Sequence, residues 1–391
     1  MRLKLGSLSG IIGGVSPGGS RPSPIGVDFG VSEMKLLQVQ TGEPASLIAA
    51  ASVETPAALL NDPAKRLNFQ LGELASTVRK GGFKGKRGAC TFPAEQTLCK
   101  ALSSPKVQGV SLSEVVSHAL SEQLECHPDA LVCRAFEAPE PGRSGKSEML
   151  GIAAPRELIE RLVGGLRHAR LEPVGMHSEF LAMVRSFAEM EAKPENGAEE
   201  KPHTTLYLDI GLGSTKIAVA IGAHATFARR IDLGGRHIIA EIERQQDCNA
   251  AEATRLWRSL SSMNDALPVA MKKAAGAESM GARRLAESAA AGVDLTEPLE
   301  ILTDEVAMAV RYHESVFPQK RLERIVFVGG ESRQVALCQH IAKSVRLTAQ
   351  IADPMAKVAR SGRESTKGVD LAQPQPGWAV ALGLCLSPTD L

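Results

Sequence analysis

Two stretches of this chain repeat each other. Val27–Leu36 reads V-D-F-G-V-S-E-M-K-L and Leu208–Ile217 reads L-D-I-G-L-G-S-T-K-I. In each, an acid closes an apolar run, glycine opens a turn, and a lysine lies seven residues past the acid: Asp28 and Lys35, then Asp209 and Lys216. Each stretch predicts a β-hairpin whose tip holds phosphate. Glycines let backbone N–H groups point inward at an anion, and hydroxyls at Ser32, Ser214 and Thr215 add donors. A carboxylate cannot touch phosphate, so Asp28 and Asp209 are expected to order a magnesium ion through water. A motif repeated 181 residues on (209 against 28) means two related halves, and two facing phosphate hairpins make a nucleotide cleft.

The 391 residues suffice for two domains with their own cores. A formal charge of +1 leaves no electrostatic footprint for nucleic acid. The seven cysteines are scattered without ligand spacing, which suits a reducing compartment and predicts neither zinc nor disulfides. No apolar run reaches the roughly 20 residues a bilayer span needs. Residues 1–24, with Gly and Pro crowding its second half, are expected to be a flexible leader.

Periodicity gives the rest. Leu47–Val53 reads as a strand, Ala64–Lys80 as a helix with Leu67, Leu71, Leu74 and Val78 on one face, and Gly88–Pro93 as a buried strand. Thr97–His177 has its own αβ rhythm and is expected as a subdomain inserted in the first half. Within it are a helix Ser113–Leu124 capped by Ser113, strands Leu131–Ala138 and Met149–Ala154, and a helix opening on Pro155. Helix Glu179–Ala192 and a polar linker through Lys201 lead to the second half. There Arg236–Leu260 and Ala266–Val293 read as helical, and Thr296–Ser315 as a core-facing helix. Arg324–Ser332 (RIVFVGGES) is a strand running into Gly329–Gly330, followed by helix Gln334–Val345. Such a turn brings backbone close to a ligand, and after two phosphate hairpins it is where adenosine would lie. The chain closes with an Ala/Gly-rich helix, Trp378–Leu384.

Acid-closed hairpin, inserted material, second acid-closed hairpin and strand–GG–helix is the motif order of the actin/Hsp70/sugar-kinase superfamily. Within it the chain resembles the PilM family, cytoplasmic actin-like proteins of type IV pilus assembly that are similar to FtsA. The stretches that carry the likeness are IGVDFGVSEMKLLQV, AAPRELIERLVGGLRHARLEPVGMHSEFLAMVR, LYLDIGLGSTKIAV with RRIDLGGRHI, and ALGLCL. The resemblance implies an α/β fold of two actin-like (ribonuclease H-like) domains with an FtsA/PilM-type insertion. The first half comprises 25–96 and 178–203, the insertion 97–177, the second-half core 204–241 and 322–391, and a helical subdomain 242–321.

The resemblance also implies ATP and Mg as cofactors. Asp28, Gly30, Ser32 and Lys35 match the first phosphate motif, and Asp209, Gly211, Gly213, Ser214, Thr215 and Lys216 the second. Gly234 and Gly235 match the glycines after the second half's third strand, and Gly329, Gly330 and Ser332 the adenosine motif. Three departures stand out. Thr254 and Trp257 replace a Glu-x-x-Lys pair near the ribose and base, with Glu252 and Arg255 close by as substitutes. Glu331 replaces the third glycine of the adenosine motif, and Val31 a small polar residue of the first turn.

The implied partner is the N-terminal peptide of a PilN-like inner-membrane protein, held by the insertion and its neighbour. Pilus motor components and self-association remain open, and membrane association would be peripheral and indirect. Three other readings share the fold. A small-metabolite kinase would need a base beside Thr91–Ala94, where only Glu95 stands, expected to face solvent. An FtsA-like filament former needs an amphipathic tail, which Ser387–Leu391 does not supply. A GspL-like secretion component needs a membrane helix.

Overall fold

The computed structural model describes residues 21–104, 111–140, 142, 146–191, 202–262 and 293–389. The expected leader up to residue 20, the linker 192–201 and nearly all of the expected helix 266–293 lie outside the described residues.

Two sheets carry the duplication. In the first, β1 (Ile25–Phe29), β2 (Glu33–Gln40) and β3 (Ser46–Glu54) form an antiparallel meander, and β4 (Arg87–Phe92) and β8 (Glu172–Ser178) add in parallel beyond β1. In the second, β9 (Thr204–Ile210), β10 (Thr215–Ile221) and β11 (His224–Ile231) form the meander, and β12 (Arg324–Val328) and β13 (Thr348–Ile351) add in parallel beyond β9. The strand orders β3-β2-β1-β4-β8 and β11-β10-β9-β12-β13 are the same path drawn twice. Central strands covered on both faces are buried throughout and largely apolar: every residue of β1 and β9 is buried, Asp28 and Asp209 included.

Thr97–His177, expected as one insertion, is divided between two sheets. A separate three-stranded sheet is built from β5 (Leu98–Ser104), β6 (Leu131–Glu137) and β7 (Ser147–Pro155), in the order β5-β7-β6. Helix α2 (Leu112–Gln123) covers it through Val116 and Leu120. Its cap is Ser111 rather than Ser113: Glu114 N donates to Ser111 Oγ (3.1 Å), and Glu114 Oε2 accepts from Ser111 N (2.9 Å). Helix α3 (Arg156–His168) instead buries Leu158, Leu162 and Leu166 in the first sheet's core beside Leu67 and Leu74 of α1 (Pro63–Lys80), and β8 is that sheet's edge. Pro155 stands just before α3, not at its first position, because its extended ψ of 133° still serves β7.

The end of the chain also crosses between halves. β14 (Ser365–Lys367) pairs with β3, and α9 (Ala379–Cys385) packs on β1, β2 and α4 (Glu179–Glu191). A Cβ at Gly383 would overlap the Ala182 carbonyl, so only glycine permits α4 and α9 to meet this closely. Residues 21–24, expected in the leader, extend β1 instead: Ser23 N donates to Val39 O (2.8 Å).

The predicted helix 236–260 is two helices. α5 (Gly235–Gln246) ends at Asp247, whose φ of 46° is left-handed. α6 (Ala250–Ser262) restarts under Asn249, whose Oδ1 accepts from Ala251 N and Glu252 N. α7 (Thr296–Val316) buries Leu299, Leu302 and Val306, as its spacing predicts. A short turn, Gly330–Arg333, separates β12 from α8 (Val335–Val345).

Candidate functional site

In both hairpins the acid sits directly opposite the lysine: Asp28 pairs across the ladder with Lys35, and Asp209 with Lys216. The repeat in sequence is thus a repeat in register. Both acids stand at the ends of fully buried strands; Asp28, Lys35 and Asp209 are buried and Lys216 is half-buried.

Around Asp209, Lys216 Nζ lies 3.0 Å from Oδ2 and 2.6 Å from Glu179 Oε2. Glu179 opens α4 at the end of β8, and its Oε1 also accepts from Ala94 N (2.8 Å). Burial alone would lower the Lys216 pKa; Asp209, Glu179 and Asp28 outweigh it and raise it. Sequence reasoning missed Glu179. Its signal was an acid at the first position of a helix following a strand that runs to the cleft.

Around Asp28 the pairing is looser. Lys35 Nζ turns to Glu33 Oε1 (3.2 Å), and Asp28 Oδ1 accepts from Thr91 Oγ1 at a long 3.5 Å. Burial pushes the Asp28 carboxyl up to about 7, against the pull of Lys35. The first turn is braced from behind by Gln70, whose Nε2 donates to Gly30 O (2.7 Å) and Thr55 Oγ1 (3.2 Å).

The turns themselves meet. A Cβ at Gly213 would stand 2.9 Å from Val31 Cγ2, so Val31 packs on the tip of the second hairpin. Gly234 lies against Gly211 and Ser214, and Gly235 N and Arg236 N donate to Gly211 O (3.0 Å) and Leu212 O (2.9 Å). His237 has a capping role: Gly234 N donates to its Nδ1 (3.0 Å). Gly329, at φ 90°, presses on Asp209 and Ile210, a conformation and a contact that exclude a side chain. A Cβ at Gly330 would meet nothing within 4 Å, so this glycine faces open space.

The predicted hydroxyls divide. Thr215 Oγ1 donates to Leu233 O (2.7 Å) and Ser332 Oγ to Gly329 O (2.7 Å), both fully buried and engaged in holding turns. Ser32 and Ser214 remain half-buried at the two tips. Glu252 and Arg255 lie on the exposed face of α6, paired with each other at 3.8 Å, and do not replace the missing charges of that helix. Trp257 is buried, and its Nε1 donates to Glu331 Oε2 (2.7 Å), so two of the three departures bind one another. Glu95, expected at the surface, forms an ion pair with the buried Arg66.

The family model described as "Type IV pilus assembly protein PilM" matches residues 26–265, more than half of the chain. The chain belongs to the PilM family. Among solved structures, this PilM-family chain is similar to the "PilM-PilN type IV pilus biogenesis complex", with a TM-score of 0.69 and 21% identity over 93% of this chain and 98% of that one. The fold is therefore the actin-like one of that protein. Further structural neighbours are the ethanolamine utilization protein EutJ from Carboxydothermus hydrogenoformans (TM-score 0.46, 15% identity, 95% and 92% covered) and MreB5 of Spiroplasma citri bound to ADP (TM-score 0.43, 13% identity, 94% and 95% covered). A search of curated protein sequences finds no match. Among the described residues no helix is long and apolar enough to cross a membrane.

Proposed function

We propose that this chain is a type IV pilus assembly scaffold. In this reading it holds a Mg-bound nucleoside triphosphate between its two hairpins and an N-terminal peptide of a PilN-like inner-membrane protein through its three-stranded sheet and the adjoining first half. The observation that carries the cleft is the convergence of two identically registered Asp–Lys hairpins on one buried charged cluster.

The residues present fit the phosphate end of such a ligand. The glycine tips carry the hydroxyls of Ser32 and Ser214 as donors, and Lys35 and Lys216 would supply positive charge. The donor set also fits a hydrated magnesium ion rather than a directly ligated one. Among the described residues no group of three His, Cys, Asp or Glu side chains is placed to hold a metal, whereas Asp28 and Asp209 belong to the same charged cluster and would accept from the waters of a hydrated ion. The bound ion would neutralise charge between the phosphates and these acids. Asp28 takes the larger share, because burial leaves its carboxylate without a firm cation of its own. The two halves are bridged by Lys216–Glu179, by Val31 on Gly213, and by Arg236 Nη1 on Asn61 Oδ1 (2.7 Å). A ligand seated between the hairpins therefore acts on the angle of the halves, and so on the partner surface.

Hydrolysis is secondary in this reading, at most a weak ATPase activity. A kinase role is disfavoured because Glu95, the carboxylate it would need, is held by Arg66. The PilN peptide is assigned from family membership and from the similar PilM–PilN complex, and with it a cytoplasmic, peripheral place at the inner membrane. Calorimetric titration of the chain with a PilN N-terminal peptide, with and without Mg-ATP, tests both halves. Saturable binding of each, with the peptide's affinity changed by nucleotide, is expected. No heat from the peptide up to millimolar concentration overturns the scaffold reading.

A further inference from the structure

The two ends of the cleft are built differently. On the motif order of the family, a nucleotide whose phosphates lie between the hairpin tips would lead its nucleoside over Gly234–Gly235, which abut the second tip, toward the Gly329–Gly330 turn, and α6 reaches that turn through Trp257. Across that path the walls are joined. Glu331, on the turn, lays its carboxyl against Gly235, where a Cβ would overlap it. From α6, Trp257 Nε1 donates to the same carboxylate at 2.7 Å, and Gln334 Nε2 at the start of α8 donates to Trp257 O at 2.8 Å. Trp257 is also anchored in the second half's core beside Ala253 and Leu337. A base needs van der Waals distance, about 3.5 Å, from the wall on each of its faces, whereas these walls touch through a hydrogen bond.

We propose that the cleft reads polyphosphate and not base: its ligand class is a Mg-bound triphosphate, to which the nucleoside adds little affinity. The proposal rests on the reading of the hairpins as a phosphate seat. Seating a base between the walls requires breaking the Trp257–Glu331 bond and leaving a half-buried carboxylate without its donor, which offsets part of the area the base would bury. Glu331 and Trp257 thereby set specificity by denying the base its place, while Gly330 stays open beside the phosphates.

The test is competition calorimetry with Mg-ATP, Mg-GTP and Mg-tripolyphosphate on the wild-type chain, Glu331→Ala and Glu331→Gln. Wild-type affinities for the three ligands are expected within about threefold of one another. Glu331→Ala opens the base path, so ATP is expected to gain roughly tenfold or more over tripolyphosphate. Glu331→Gln, which keeps the side chain's bulk and its acceptor for Trp257, is expected to behave as wild type. A wild-type preference of about tenfold or more for ATP over tripolyphosphate overturns the inference and leaves the phosphate seat intact. Binding of none of the three overturns the phosphate seat and the inference with it.

Discussion

The two hairpins share a register but not an electrostatic state. In the second, a half-buried Lys216 is clamped by two buried carboxylates, Asp209 and Glu179, in one closed set. In the first, Lys35 turns to Glu33, and Asp28 is left with a long contact to Thr91 and a carboxyl pushed up to about 7. The second hairpin is thus finished as a structural element, whereas the first is incomplete until a cation arrives. Duplication supplied two equal devices, and one extra carboxylate, Glu179 on α4, made them unequal.

The lysines break this comparison most sharply. Lys216→Met strands two buried carboxylates and is expected to cost about 3–5 kcal/mol, read as a lowered midpoint of urea unfolding. Lys35→Met leaves only the partly exposed Glu33 and Asp28, whose carboxyl burial already holds toward its neutral form, and is expected to cost about 1 kcal/mol. Equal losses would contradict the asymmetry.

Asp28→Asn comes next and carries a sign. The Asp28 pKa is raised from 3.8 to about 7 on folding, so the folded state holds the extra proton between those values. Stability from this group therefore falls as pH rises from about 4 to about 7 and stays low above. Thermal unfolding of Asp28→Asn should show a Tm gain over wild type at pH 8 that disappears near pH 4, together with at least a roughly tenfold loss of Mg-triphosphate affinity. A Tm gain independent of pH would contradict the assignment.

Smaller effects sharpen the picture at the tips. Val31→Ser removes the side chain packed on Gly213 and adds a donor, so Mg-triphosphate affinity should rise by roughly threefold to tenfold in calorimetry. Asn61→Ala removes the partner of Arg236 across the mouth of the cleft. This exposed contact should change equilibrium affinity by no more than about twofold while speeding ligand release in stopped-flow measurements.

The duplicated motif was legible because its chemistry is local. Acid, glycine and lysine at fixed spacing specify a hairpin and its register, and the structure has both, although the acid and lysine close into an ion pair only in the second. The strand–GG turn and the core face of α7 were legible for the same reason. What escaped depends on residues far apart in sequence. Glu179 acquires its partner from Lys216 across the two halves, and the spacing of α4 alone marks it only as a helix start. The hydroxyls were legible by type but not by direction: Thr215 and Ser332 are donors, and the acceptors nearest to them are carbonyls of the turns they hold. Thr97–His177 was read as one unit because its αβ rhythm is continuous; β8 leaves it because its ladder partner is β4, a pairing that no local pattern records. The Glu331–Trp257 bond joins residues 74 apart in sequence, so each was visible only as a separate departure.

The most direct test of the inequality between the hairpins is the proton count on ligand binding. Titrating Mg-saturated triphosphate into the chain at pH 6.5, in buffers of different ionisation enthalpy, gives the number of protons released. The account predicts a net release of roughly half a proton or more from wild type, as Asp28 loses its proton beside the ion, and a count smaller by that amount for Asp28→Asn. An identical proton count for the two proteins would contradict it.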